Sequence, residues 1–126
     1  MGYESKLYVV DKSTIGEMVR EDFPAPMYWG EVIAVFDLCK LPDSVSRKLR
    51  TYPNTNCYIY ADDGNTRITE DLYGDPLAEI PVPDAIRILK EGAAHGIYRR
   101  YAPCIQLLEG FDLHQWKDLV VLHYGH

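Results

Sequence analysis

Residues 56–75, NCYIYADDGNTRITEDLYGD, constrain the fold more than any other segment. Cys57, Ile59 and Ala61 alternate with Tyr58 and Tyr60, the period-two pattern of a half-buried strand. Asp62-Asp63-Gly64-Asn65 follows, and Asp-Gly tolerates the positive φ that tight hairpin turns require. The segment predicts a β-hairpin with a return strand over Thr66 to Asp71, and hence an antiparallel sheet. Five carboxylates (Asp62, Asp63, Glu70, Asp71 and Asp75) crowd it. Three readings stand for that cluster: a metal site, a docking surface for a basic partner, and a solvated loop.

The rest of the chain supplies partners for the hairpin. Tyr3 to Val10 reads as a strand, with Leu7 and Val9 opposed to Lys6, Tyr8 and Val10. Lys12 to Met27 is irregular, although Thr14 to Glu21 suits a short helix. Trp29 to Leu38 has Val32, Ala34 and Phe36 on one face and Ile33 and Val35 on the other, so it predicts a central strand. Asp43 or Ser44 is placed to cap a short helix whose solvent side carries Arg47, Lys48 and Arg50. Ala78 to Pro81 is short and extended. Pro83-Asp84 then opens a helix, with Ala85, Ile86 and Leu89 as its apolar stripe and Gly92 near its end.

A second helix spans roughly Tyr98 to Glu109, where Tyr101, Ile105 and Leu108 recur at i, i+4 and i+7. Pro103 would remove a hydrogen bond from its interior, which favours a regular start near Ala102. Asp112 is placed to cap a single turn through Trp116, and Leu119 to Tyr124 is a last strand, apolar on both faces. Strands grouped ahead of helices predict an α+β fold. The expected architecture is one domain over residues 1–126. Its sheet has four or five strands, antiparallel or mixed, with the two C-terminal helices on one face. Val32, Ala34, Phe36, Ile86, Leu89, Ile105, Leu108, Leu119 and Val121 form the expected core.

Composition limits the function classes. A chain of 126 residues buries roughly two-thirds of the surface its unfolded form exposes, enough to fold without staples. No apolar run approaches the roughly 20 residues of a membrane helix, and the opening MGYESKLYVVDK lacks a signal-peptide layout. A net charge of −6 argues against direct nucleic-acid binding, which needs a basic surface. Cys39, Cys57 and Cys104 are too widely spaced for a CxxC metal site or a disulfide framework, and read as buried, reduced thiols. These features predict a cytoplasmic protein without a cofactor.

Candidate chemistry is sparse. His123 and His126 stand close together near the chain end, where Asp62 and Asp63 could join them around a metal. Their spacing matches neither an EF-hand nor a zinc signature. No Gly-x-Ser-x-Gly or His-Glu-x-x-His motif occurs, and His95 reads as a loop residue. Tyr98-Arg99-Arg100-Tyr101 presents Arg99 and Arg100 for stacking or phosphate binding, or simply as solvated charges. Ten tyrosines against three phenylalanines are the stronger interaction signal, because tyrosine joins an apolar body to a wet tip. If Leu7, Val9, Cys57 and Ile59 face the helices, then Tyr8, Tyr58 and Tyr60 lie on the opposite sheet face, and Tyr124 can join them.

The segments GYESKLYVV, EVIAVFDLCK, YADDGNTRITEDLYGD and DLVVLHYGH together resemble a group of small proteins encoded by bacteriophages and prophages of Gram-positive bacteria. The resemblance spans most of the chain and is weakest between Asp11 and Tyr28. It implies a phage accessory protein in the host cytoplasm and provides no catalytic residues. Small phage proteins of this kind often block a host factor, some of them a defence system such as a CRISPR nuclease. The leading expectation is therefore a non-enzymatic protein that binds a host protein or complex through Tyr8, Tyr58, Tyr60, Asp62 and Asp63, with Arg99 and Arg100 as a second surface. A homodimer is compatible with it. The alternatives are a metal-dependent hydrolase using Asp62, Asp63, His123 and His126, and a module that sequesters a nucleotide signal.

Overall fold

Strands from opposite ends of the chain form the centre of the main sheet. The computed structural model describes residues 4–12, 28–55, 57–60, 67–92, 98–111 and 119–126. Its elements run in the order β1 (Ser5–Asp11), β2 (Tyr28–Trp29), β3 (Glu31–Cys39), α1 (Asp43–Arg50), β4 (Cys57–Tyr60), β5 (Arg67–Ile68), β6 (Ala78–Pro81), α2 (Val82–Gly92), α3 (Tyr98–Glu109) and β7 (Leu119–Gly125). The main sheet is antiparallel, in the order β3-β1-β7-β6. A smaller sheet places β2 parallel and β5 antiparallel to β4. The α+β class is thus observed, and the pairing of Ile59 with Ile68 and Tyr60 with Arg67 is that of the expected hairpin.

One face of the main sheet carries all three helices. Leu7 and Val9 of β1, Ile80 of β6 and Leu119 and Val121 of β7 pack there with Val45 and Leu49 of α1. Ile86 and Leu89 of α2 and Tyr101, Ile105 and Leu108 of α3 complete the same cluster. The helices form where their apolar residues recur on that side, which buries the expected stripes. The other face meets Ile59 and Leu77, which pack with Val10 and Leu122. Coverage on both faces explains why β7 is apolar on both.

Several expectations need correction. Among the described residues β3 is an edge strand and not central, with Ile33 and Val35 at 42% and 47% exposure. Phe36 of the same strand packs on the core but stays partly exposed, as does Ala34. Val32 leaves that face altogether. β1 pairs Val9 with Ala34 but Val10 with Val32, so one extra β3 residue is inserted. Such a bulge reverses the side on which the next residue points, and Val32 joins the cluster on the second face. Ile59 also lies on that second face, against the expectation that it meets the helices.

Smaller corrections concern element ends. The predicted strand from Trp29 splits at Gly30, whose N–H donates to Tyr58 O at 2.9 Å and so ties the chain to the smaller sheet. α1 begins on Pro42 with no side-chain cap, because Asp43 and Ser44 already lie inside the helix. α3 starts at Tyr98 and runs through Pro103, so burial of Tyr101, Cys104, Ile105 and Leu108 outweighs the lost hydrogen bond. Among the described residues the return strand of the hairpin is Arg67–Ile68. The segment 13–27, the turn with Asp62 and Asp63, His95 and the capped turn at 112–116 lie outside the described residues. No helix of the described residues is long and apolar enough to cross a membrane.

Candidate functional site

The acidic segment folds its second half into a tight turn against the end of β7. Asp71 organises it. Its Oδ1 accepts the backbone N–H groups of Tyr73 (2.9 Å) and Asp75 (3.0 Å), while its own N–H donates to Asp75 O at 2.8 Å and its carbonyl accepts from Gly74 N at 3.1 Å. This is the side-chain-to-backbone pattern for which Asp is favoured in turns. Gly74 sits at φ 82°, a region where a side chain is strained. Glu70 bridges to Pro76, and Leu72 N donates to Gly125 O at 3.1 Å, which pins the turn to the sheet. The tip presents Leu72 and Tyr73, at 69% and 55% exposure, between the exposed acids Glu70 and Asp75.

A cavity of about 290 Å³ opens beside this turn, lined by Arg50, Asn54, Asp71, Asp75, Pro76, Ala78 and His123. Arg50 reaches it from the end of α1, where its Nε donates to Ser46 O at 3.3 Å. Asn54 is held by a bridge to Ala78. His123 is buried on the helix-bearing face, and its Nε2 shares a 2.9 Å hydrogen bond with the buried Ser5 Oγ. Burial first, and then the Arg50 guanidinium, hold the imidazole down at about 4, against an opposing pull from Asp71. The ring is therefore neutral at physiological pH.

Among the described residues, the predicted site residues do not converge. Tyr58 is fully buried, with its ring edge-on to Tyr60 at 5.7 Å, so it is corrected from a surface anchor to a packed residue. Only the half-buried Tyr60 keeps an accessible part. Tyr8 and Tyr124 do share the face away from the helices, as a T-shaped pair 6.0 Å apart. Lys6 Nζ lies 6.0 Å from the Tyr124 ring. His123 and His126 do not form a joint site. His123 is on β7 and bonds Ser5, whereas His126, just past the strand, lies on the side of Tyr124. His126 lies beside Tyr124, with its Nε2 3.6 Å from Asp37 Oδ1. No group of three metal-binding side chains occurs among the described residues. Arg99 and Arg100 belong to α3, and their side chains lie outside the described set, as do Asp62 and Asp63.

Sequence reasoning counted Glu70, Asp71 and Asp75 as charges and missed the turn they build. The signal was present: Asp71-Leu72-Tyr73-Gly74-Asp75 brackets two large apolar residues with turn formers. Nothing comparable linked Arg50, Asn54, Ser5 and His123, which only the tertiary fold brings together. Compared with protein-family models, curated proteins and solved structures, the chain has no significant match.

Proposed function

We propose that this chain is a non-enzymatic binding protein that docks a basic protein surface on the turn from Glu70 to Pro76. The observation that carries the reading is the exposure of Leu72 and Tyr73 on a turn held by Asp71. Large side chains carried on a backbone that is already held cost no backbone ordering on binding. Tyrosine is enriched among residues that dominate binding energy, and the flanking Glu70 and Asp75 would chiefly speed association with a basic partner. The resemblance to phage and prophage proteins supplies the setting: the partner is a host protein or complex in the host cytoplasm, and docking blocks it. A host defence nuclease is one such target.

The test uses purified protein as bait in a host lysate and then measures kinetics on the captured partner. Tyr73→Ala together with Leu72→Ser should weaken binding by about 2 kcal/mol or more. Glu70→Gln with Asp75→Asn should instead slow association and flatten its salt dependence. Capture that is equal for wild type and the Leu72/Tyr73 double variant would remove this turn from the function.

A further inference from the structure

We propose that the outer edge of β3 is a second docking site, which takes an extended segment of a protein partner as an added antiparallel strand. That segment is apolar and β-branched in its middle and basic at its carboxyl end. The site goes beyond the docking turn, which is pinned to β7 on the far side of β1. β3 is the longest strand of the described residues, and among them it pairs only with β1. Alternate residues of an antiparallel strand turn their N–H and C=O groups to one neighbour or to the other. On the side away from β1, no described backbone group bonds to residues 32–36. The run Val32-Ile33-Ala34-Val35-Phe36 holds neither charge nor proline, two of the devices that blunt such an edge. The bulge at Val32 bends only the start of the strand, since Ala34 to Asp37 pair residue for residue with β1. Ile33 and Val35 stand exposed along the run.

Charge decides between occupants. Glu31 is exposed and stands opposite Asp11 of β1, a like-charge pair that a cation would relieve. Asp37, at the other end, already has the His126 ring beside it. A second copy of this chain, paired antiparallel about Ala34, would set Glu31 of each copy beside Asp37 of the other. Pairing about Val35 instead sets Asp37 against the apolar Ile33 of the other copy, which desolvates the carboxylate. A segment of another protein escapes both costs when a lysine or arginine follows its apolar run, because antiparallel pairing carries that end to Glu31. Main-chain bonds of the added strand supply affinity, and Ile33 and Val35 favour β-branched side chains beside them.

Titration of the isotope-labelled full chain by amide NMR is the test. The probe is a peptide of about nine residues that alternates threonine with valine and ends in two lysines, long enough to lie along β3 at about 3.3 Å per residue. Saturable shifts should centre on residues 32–37, with slowed hydrogen exchange at alternate amides there. N-methylation of one alternate set of peptide amides should weaken binding about tenfold or more, and of the other set much less. Val35→Lys should weaken it about tenfold and Glu31→Lys about threefold, while both spectra stay dispersed. The Leu72→Ser, Tyr73→Ala double variant should bind the peptide as the wild type does, which separates this site from the docking turn. Equal binding of the two N-methylated peptides, shifts centred away from β3, or no saturable shift would overturn the proposal. So would a dimer in sedimentation velocity that Val35→Lys dissolves, the occupant then being a second copy.

Discussion

Ser5 and His123, 118 positions apart in the sequence, share a buried 2.9 Å hydrogen bond. Antiparallel pairing of β1 with β7 sets Ser5 opposite Gly125 and Leu7 opposite His123, so the two side chains are diagonal neighbours on one face. The bond closes the chain ends against each other and forms the back of the cavity. Ser5→Ala would leave a buried ring nitrogen without its partner, and is expected to cost about 1–3 kcal/mol in denaturant unfolding.

Stability should depend on pH through the same histidine. Its ordinary value near 6.5 is depressed to about 4 in the fold. Between these limits the unfolded chain takes up a proton that the folded chain refuses, so stability rises with pH. The contribution is complete above about pH 6.5 and is lost as the pH falls towards 4, on the order of 3 kcal/mol in total. Urea unfolding across this window should show the slope in the wild type and a flatter one in His123→Gln. Equal slopes would mean that His123 titrates normally.

Gly92 has a packing role that its place near a helix end concealed. A Cβ there would stand 2.9 Å from Tyr101 Cε2 and 2.9 Å from Val45 Cγ2, where α1, α2 and α3 meet. Gly92→Ala gains helix propensity of about 1 kcal/mol, yet overpacking typically costs about 1–3 kcal/mol. The expected outcome in thermal unfolding is net destabilisation. A higher melting temperature would show that Tyr101 and Val45 give way easily.

Edge and centre should respond differently to truncation. Leu89 is fully buried between the helices and the sheet, and Leu89→Ala should cost about 2–5 kcal/mol. Phe36 sits half-buried on the edge strand, so Phe36→Ala should fall below the roughly 3–5 kcal/mol of a fully buried phenylalanine. Denaturant midpoints of the two variants measure the contrast. A larger loss at Phe36 than at Leu89 would contradict the placement of β3.

Cys104 should be inert in the native state. Burial pushes its thiol up to about 12, far from the thiolate form that reacts. Peptide mapping after brief iodoacetamide treatment near pH 8 should find Cys104 unmodified in folded protein and modified in denatured protein. Alkylation without denaturant would show that α3 opens readily.

Local pattern was enough to place β1, β6, β7, α2 and α3 within a few residues, because period-two and helical spacing act over one element at a time. It also placed the apolar residues of both C-terminal helices in the core. Which strand lies at the edge was decided only by pairing. β3 carries Ile33 and Val35 as apolar as any central strand, and its exposure depends on what stands beside it. The bulge that moves Val32 to the second face is likewise a property of β1 and β3 together. Tyr58 shows the same limit: alternation set it beside Tyr60, but which side of the strand met solvent depended on the rest of the fold. The turn at Asp71 went unread although its signal, an Asp, a Gly and two large apolar residues in succession, is local chemistry. The cavity left no such signal, because Arg50, Asn54, Asp71 and His123 come from separate elements, and no period in the sequence records a contact made across space.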